Sequence, residues 1–209
     1  MEANNINIEE FSEVLTDVRK AYRFTYIFQR RVMDLVEFIG KYYKFKYLGG
    51  YSHYSKTILK GKGKLRDSAW EFLPMYHFEF QFITPEIDNR QLIFSILCQC
   101  DTGFYDTGLS EKNKDSIDVF KSAEESETFL HLVFREINSD INHYKNYMYK
   151  TKSAKLIPNN SFQFNENELL IGQKFPLLNF FDENRTKLSL IEFDNHCSEY
   201  GIIFRSKIK

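Results

Sequence analysis

From Phe11 to Ile39 the apolar positions recur at spacings that alternate strictly between three and four. They run Phe11, Val14, Val18, Ala21, Thr25, Phe28, Val32, Leu35 and Ile39, and only Thr25 is not apolar. Residues three and four apart share one side of an α-helix, so the pattern predicts a helix with a single apolar side. Leu15, Tyr22 and Val36 widen that side. Asn7 is a suitable N-cap, Glu10 completes a capping box, and Ile6 and Phe11 are placed to form a hydrophobic staple. Gly40 is the expected stop, because glycine accepts the left-handed conformation at a helix C-terminus. A helix over 8–39 would be roughly 48 Å long. A compact domain of 209 residues is roughly 43 Å across. Either the helix lies along a sheet face or kinks back, or its apolar end needs a second subunit or a partner protein to cover it.

Beyond that helix the chain reads as mainly antiparallel strands and loops over 76–181. Tyr76, Phe78, Phe80 and Phe82 alternate with His77, Glu79 and Gln81, the period of a strand. Turn residues at 84–89 separate them from a second strand, with Phe94, Ile96, Cys98 and Cys100 on one face. The segment 129–137 fits either a strand or a helix opened by Ser122 and Glu125, and is read as a strand. A closing helix is expected over 189–200, stopped by Gly201. The resulting fold class is α+β, with a long N-terminal helix packed on a mainly antiparallel sheet and a short C-terminal helix. The length suits one domain over 1–209.

Charge is balanced overall, at −1, but unevenly spread. The segment 41–66, read as a Tyr/Gly/Lys-rich loop with room for one short strand, carries Lys41, Lys44, Lys46, Lys56, Lys60, Lys62, Lys64 and Arg66 and no acid. Tyr42, Tyr43, Tyr47, Tyr51 and Tyr54 are interleaved. A second acid-free basic stretch spans 143–155, whereas 101–127 is acidic. Lysines that neutralise phosphates, tyrosines that stack on bases and glycines that admit an anion suit single-stranded nucleic acid or a nucleotide. The candidate contact residues are Lys44, Lys46, Tyr51, His53, Lys56, Lys60, Lys62, Lys64 and Arg66. Biased codon usage explains abundant Lys and Tyr equally well.

Catalytic patterns are weak. Asp101-Thr102-Gly103 and Asp106-Thr107-Gly108 resemble the catalytic loops of aspartic proteases. That chemistry needs two carboxylates sharing a proton from separate lobes, and these copies sit five residues apart, as two turns would. His53-Tyr54-Ser55 and His196-Cys197-Ser198 are similar to the paired motifs of two-histidine phosphoesterases, but the pattern is short and surface histidines explain it. Cys98, Cys100, Cys197 and His196 could furnish a zinc tetrahedron by number, yet Cys-x-Cys is not the usual knuckle spacing, and buried cysteine is the plainer reading. His77 and Glu79 could act as acid and base, or form a hydrated polar face.

No catalytic residue, metal or cofactor is assigned. The expectation is a non-catalytic binding or protein-interaction module, a subunit or an accessory or inhibitory factor. Its partner is a protein, or a second copy, held through the long helix. The alternatives are single-stranded nucleic-acid or nucleotide binding, and an enzyme without a common signature, of which a phosphoesterase is the type named. The N-terminus lacks the basic and apolar regions of a signal peptide, the cysteine count is odd, and no run reaches the length of a membrane helix, so a cytoplasmic protein without membrane contact is expected.

Overall fold

The computed structural model describes residues 7–52, 76–85, 92–103, 120–136, 162–165 and 168–203. The order is helix α1 (Ile8–Tyr43), strands β1 (Lys46–Ser52), β2 (His77–Ile83), β3 (Leu92–Gln99), β4 (Phe129–Glu136), β5 (Phe162–Asn165) and β6 (Glu168–Pro176), a 3₁₀ turn (Leu177–Phe180) and helix α2 (Glu183–Ser198). The fold is α+β. The chain divides into two compact units, Met1–Phe38 and Ile39–Lys209, with the boundary inside α1. No helix among the described residues is long and apolar enough to cross a membrane.

In the first unit α1 opens on the expected capping box. The Asn7 side-chain oxygen accepts the Glu10 N–H at 2.9 Å, and Glu10 Oε2 accepts the Asn7 N–H at 3.1 Å. Two of the donors that a helix start leaves without partners are thereby satisfied. Ile6 lies outside the described residues, and with it the staple.

The helix does not stop at Gly40 but runs on to Tyr43. Lys44 takes the left-handed conformation (φ 56°) instead. The Phe45 N–H donates to Gly40 O at 3.0 Å and the Lys44 N–H to Lys41 O at 3.1 Å. This is the Schellman pattern with lysine where glycine is usual. Gly40 is required for a different reason: a Cβ there would sit 2.5 Å from Cε1 of Phe82, a ring that is itself buried. Gly40→Val should therefore cost about 1–3 kcal/mol of stability, as overpacking does. A denaturant midpoint equal to wild type would show that the ring simply moves aside.

The reading of 41–66 is corrected at its start, where α1 still runs, and its short strand is present. Lys41–Tyr43 end α1, and Lys46–Ser52 form edge strand β1. The strand carries a bulge between Tyr47 and Gly49, where Gly49 takes φ 152°. The Phe78 ring lies too close to Gly50 for any side chain there. Residues 53–66 lie outside the described residues, as does 86–91 between β2 and β3.

The six strands form one antiparallel sheet in the order β1-β2-β3-β4-β6-β5. Register decides which residues share a face. Phe82, Phe94, Phe134 and Ile171 form one cross-strand row, and Phe80, Ile96, Leu132 and Gln173 the next. This apolar face carries the core. Phe94 and Phe134 are fully buried, and their rings stack at 4.7 Å. Phe193 of α2 stacks on Phe134 at 5.4 Å, while Tyr43 and Phe45 meet both sheet rings. The ambiguous segment is a strand over 129–136. Ser122 does cap Glu125, at 3.3 Å, but only for an isolated turn.

The closing helix starts six residues before the expected 189. Asp182 is its N-cap, extended in backbone and accepting the Arg185 N–H at 2.8 Å. Gly201 ends it as expected, with φ 76° and a 3.1 Å bond from the Ile202 N–H to Cys197 O.

Candidate functional site

Of the nine candidate contact residues, Lys44, Lys46 and Tyr51 are described; His53, Lys56, Lys60, Lys62, Lys64 and Arg66 lie outside the described residues, as does the basic stretch 143–155. Lys44 and Lys46 are exposed and Tyr51 half-buried. Five residues apart on a regular strand, Lys46 and Tyr51 would point to opposite faces. The bulge changes that parity: Lys46 pairs with Ile83 and Tyr51 with Glu79, so both lie on the second face of the sheet. Exposed Tyr47 falls on the first face, in edge contact with Phe82 at 5.3 Å.

That second face is unusually polar for a buried surface. Glu79, Gln81, Ser95, Gln99, His131 and Arg135 all lie on it, and all are buried. It is therefore not the hydrated face that His77 and Glu79 suggested. Glu79 Oε1 accepts from Gln81 Nε2 at 2.6 Å and from Ser95 Oγ at 2.5 Å. The Gln99 side-chain amide and His131 Nε2 are in hydrogen-bond contact at 3.1 Å. Among the described residues Gln81 Oε1, Gln99 Nε2 and His131 Nδ1 are buried without a hydrogen-bond partner. Burial, aided by the charge of Lys174 on β6, holds His131 down at about 4, so the ring is neutral at physiological pH. Leu97, Val133 and Leu170 fill the centre of this face. Alternation of polar and apolar residues along β2 and β3 was the available signal for the polar set; its burial was not readable from that pattern.

The sulfur and histidine candidates separate. Cys98 is buried on the apolar face, and its thiol is raised by its contact with Cys100 at 3.7 Å and by burial. Cys197 lies on α2, where burial and the nearby Asp194 raise its thiol too. A raised thiol stays protonated and is a poor nucleophile or metal ligand. Among the described residues no three His, Cys, Asp or Glu side chains are grouped to hold a metal. His196 sits on α2, 3.8 Å from Glu199, and His53 lies outside the described residues. Asp101 serves its own turn by accepting the Gly103 N–H at 2.7 Å, while the second Asp-Thr-Gly lies outside the described residues. Asp194 is likewise structural. It accepts the Tyr43 hydroxyl at 2.8 Å, and burial raises its carboxyl to about 6.

The remaining surface is on the first unit. Phe11, Val14, Leu15 and Val18, the apolar side of α1, are exposed at 52%, 51%, 41% and 43%. Tyr22, Phe24, Tyr26 and Ile27 continue as exposed apolar surface.

No curated protein and no solved structure matches the chain. The model of a family described as PM0109 matches residues 8–201, which takes in α1, the sheet and α2. The chain belongs to the PM0109 family.

Proposed function

We propose that this chain is a non-catalytic binding protein, a protein-interaction module whose working surface is the apolar side of α1. The observation that carries the reading is the exposure of Phe11, Val14, Leu15 and Val18, which the helical pattern marks as a face meant for burial. A face of this kind left open signals association, because helices of globular proteins draw most of their stability from packing that face. Reactive groups offer less support for catalysis: two thiols are held protonated, and Asp101 and Asp194 are committed to structural hydrogen bonds.

The test is the double substitution Val14→Glu with Val18→Glu, unfolded in urea at sub-micromolar concentration. Free surface positions tolerate change to within about 0.5 kcal/mol. An unchanged midpoint is the expected result. A loss of several kcal/mol would mean that the chain buries this face against itself, and the reading would fall.

A second reading has one specific observation in its favour. The β1 bulge sets Lys46 and Tyr51 on one face of an edge strand, with exposed Lys44 just before it. Cations and an aromatic ring spaced along one face of such an edge suit a single-stranded nucleic acid. Fluorescence polarisation with short single-stranded DNA and RNA should then show binding that weakens steeply with salt and is lost in Lys44→Glu/Lys46→Glu. No binding at low salt would remove it.

A further inference from the structure

We infer that the exposed face of α1 takes a second copy of this chain, paired antiparallel as a two-stranded coiled coil. The inference rests on the reading of that face as an interaction surface and names its occupant.

The first ground is period. Spacings that alternate three and four average 3.5 residues per turn, against 3.6 for a straight helix. Over Phe11 to Phe28 this seven-residue repeat keeps one seam facing one other helix, and winds the two together, whereas Val32 and Ile39, which continue it, are already buried. In heptad terms Phe11, Val18 and Thr25 occupy position a, and Val14, Ala21 and Phe28 occupy position d. All but the half-buried Phe28 are exposed.

The second ground is charge, which selects both the partner and its direction. Glu9, Glu10, Glu13 and Asp17 fill the first part of α1, and Arg19, Lys20, Arg23, Arg30 and Arg31 the part that follows. Two copies laid parallel would set acid on acid and base on base. Reversing one copy sets each acidic part on the other's basic part and opposes the two helix dipoles. An antiparallel pair joins a positions to d positions, which here gives layers of Phe11 with Phe28, Val14 with Thr25, and Val18 with Ala21. Small Ala21 and Thr25 thus fall opposite branched Val18 and Val14. In that register the flanking position of Glu10 meets that of Arg31, twice by symmetry. Glu10 already spends one oxygen on the Asn7 cap, and the other remains to take the arginine. On the opposite flank Leu15 meets Tyr22, so exposed apolar residues beside the seam are covered as well. Such an isologous pair closes on itself as a dimer and leaves no sticky end.

The experiment uses the full chain. Sedimentation equilibrium over a concentration series should show a monomer–dimer equilibrium that Val14→Glu/Val18→Glu abolishes. Arg31→Glu should weaken the dimer roughly tenfold, because it breaks two pairs and adds like-charge contacts. Glu10→Arg combined with Arg31→Glu should recover much of the loss. Direction is read by mixing Val14→Cys and Thr25→Cys variants under oxidant and mapping the linked peptides. A link between the new cysteines of the two different variants is the expected product. A link between two Val14→Cys chains would show a parallel pair and overturn the inference. A monomer at every concentration would overturn it too. If that monomer also keeps its urea midpoint in Val14→Glu/Val18→Glu, the face remains open for a different partner; if the midpoint falls, the interaction reading fails with it.

Discussion

Phe134→Ala should lower the unfolding free energy by about 3–5 kcal/mol, the usual cost of deleting a fully buried phenylalanine. Phe134 is the hub of the sheet's apolar face. Its ring has no exposure, stacks on Phe94 at 4.7 Å and on Phe193 at 5.4 Å, and meets Phe45 and Tyr43 at 6.0 and 6.4 Å. Those neighbours come from β3, from α2, and from the end of α1 with the residues after it, so truncation opens a cavity that no single element can close. Aromatic pairs add about 0.5–1.5 kcal/mol beyond area alone, which pushes the expectation to the upper part of the range. A domain holds only about 5–15 kcal/mol in total, so the loss is a large share of what there is. The measurement is the urea midpoint, with the slope unchanged. Phe181→Ala, at a 74% exposed ring, is the control and should stay near wild type. A Phe134→Ala loss below about 1 kcal/mol would mean that the helix ends can collapse onto the sheet, and that the ring cluster is not the tightly packed core described.

What was legible in the sequence was whatever local chemistry decides. Asn7 and Glu10 announce the start of α1 because a capping box is made within four residues, and Gly201 announces the end of α2 because its φ is a local demand. The β2 and β3 faces follow from period two, which also put Cys98 among buried apolar residues. Each miss has a non-local cause. Gly40 reads as a stop from its residue type alone; it is kept small by Phe82, more than forty positions away. Lys44 ends α1 in a conformation that carries no lysine signature. Asp182 gives no readable cap signal because the helix after it opens on Glu183-Asn184-Arg185-Thr186-Lys187, with no apolar residue to show the helical period. Burial of Glu79, Gln81 and His131 depends on what covers the second face, and alternation along a strand states only that a side chain is polar. Of the candidate site, pattern alone found the apolar side of α1; the shared face of Lys46 and Tyr51 needed the bulge, which sequence spacing counts the wrong way.

His131 gives the second large effect, and its sign follows from the direction of the shift. An unburied histidine takes up its proton near pH 6.5, whereas His131 does so only at about 4. Between those values the unfolded chain binds more protons than the folded one, so acid favours unfolding. The contribution is fully present above pH 6.5, drains as pH falls, and is gone by about 4. Taken over the whole window it amounts to about 3 kcal/mol, at 1.36 kcal/mol per pH unit. The charged ring would face Lys174 from β6, lie beside Leu97 of β3, and have Phe129 in edge contact at 6.4 Å, with Gln99 Oε1 its one identified polar contact. Asp194 works in the opposite sense across nearly the same range. Burial raises it from 3.8 to about 6, so there the folded state holds the extra proton, and its contribution is lost as pH rises. The two slopes oppose, and a wild-type pH profile alone would hide both. The informative quantity is a difference. Replacing both partners, Gln99→Leu with His131→Leu, removes two buried polar groups together and should be close to neutral at pH 7. Relative to wild type, that variant should gain stability steadily from pH 6.5 down to about 4, because it lacks the His131 loss while Asp194 responds alike in both. Chemical unfolding at half-unit pH steps would show the gain. Parallel curves for the two proteins would mean that His131 accepts its proton inside the fold at no cost, and that the second face of the sheet is open to water around it.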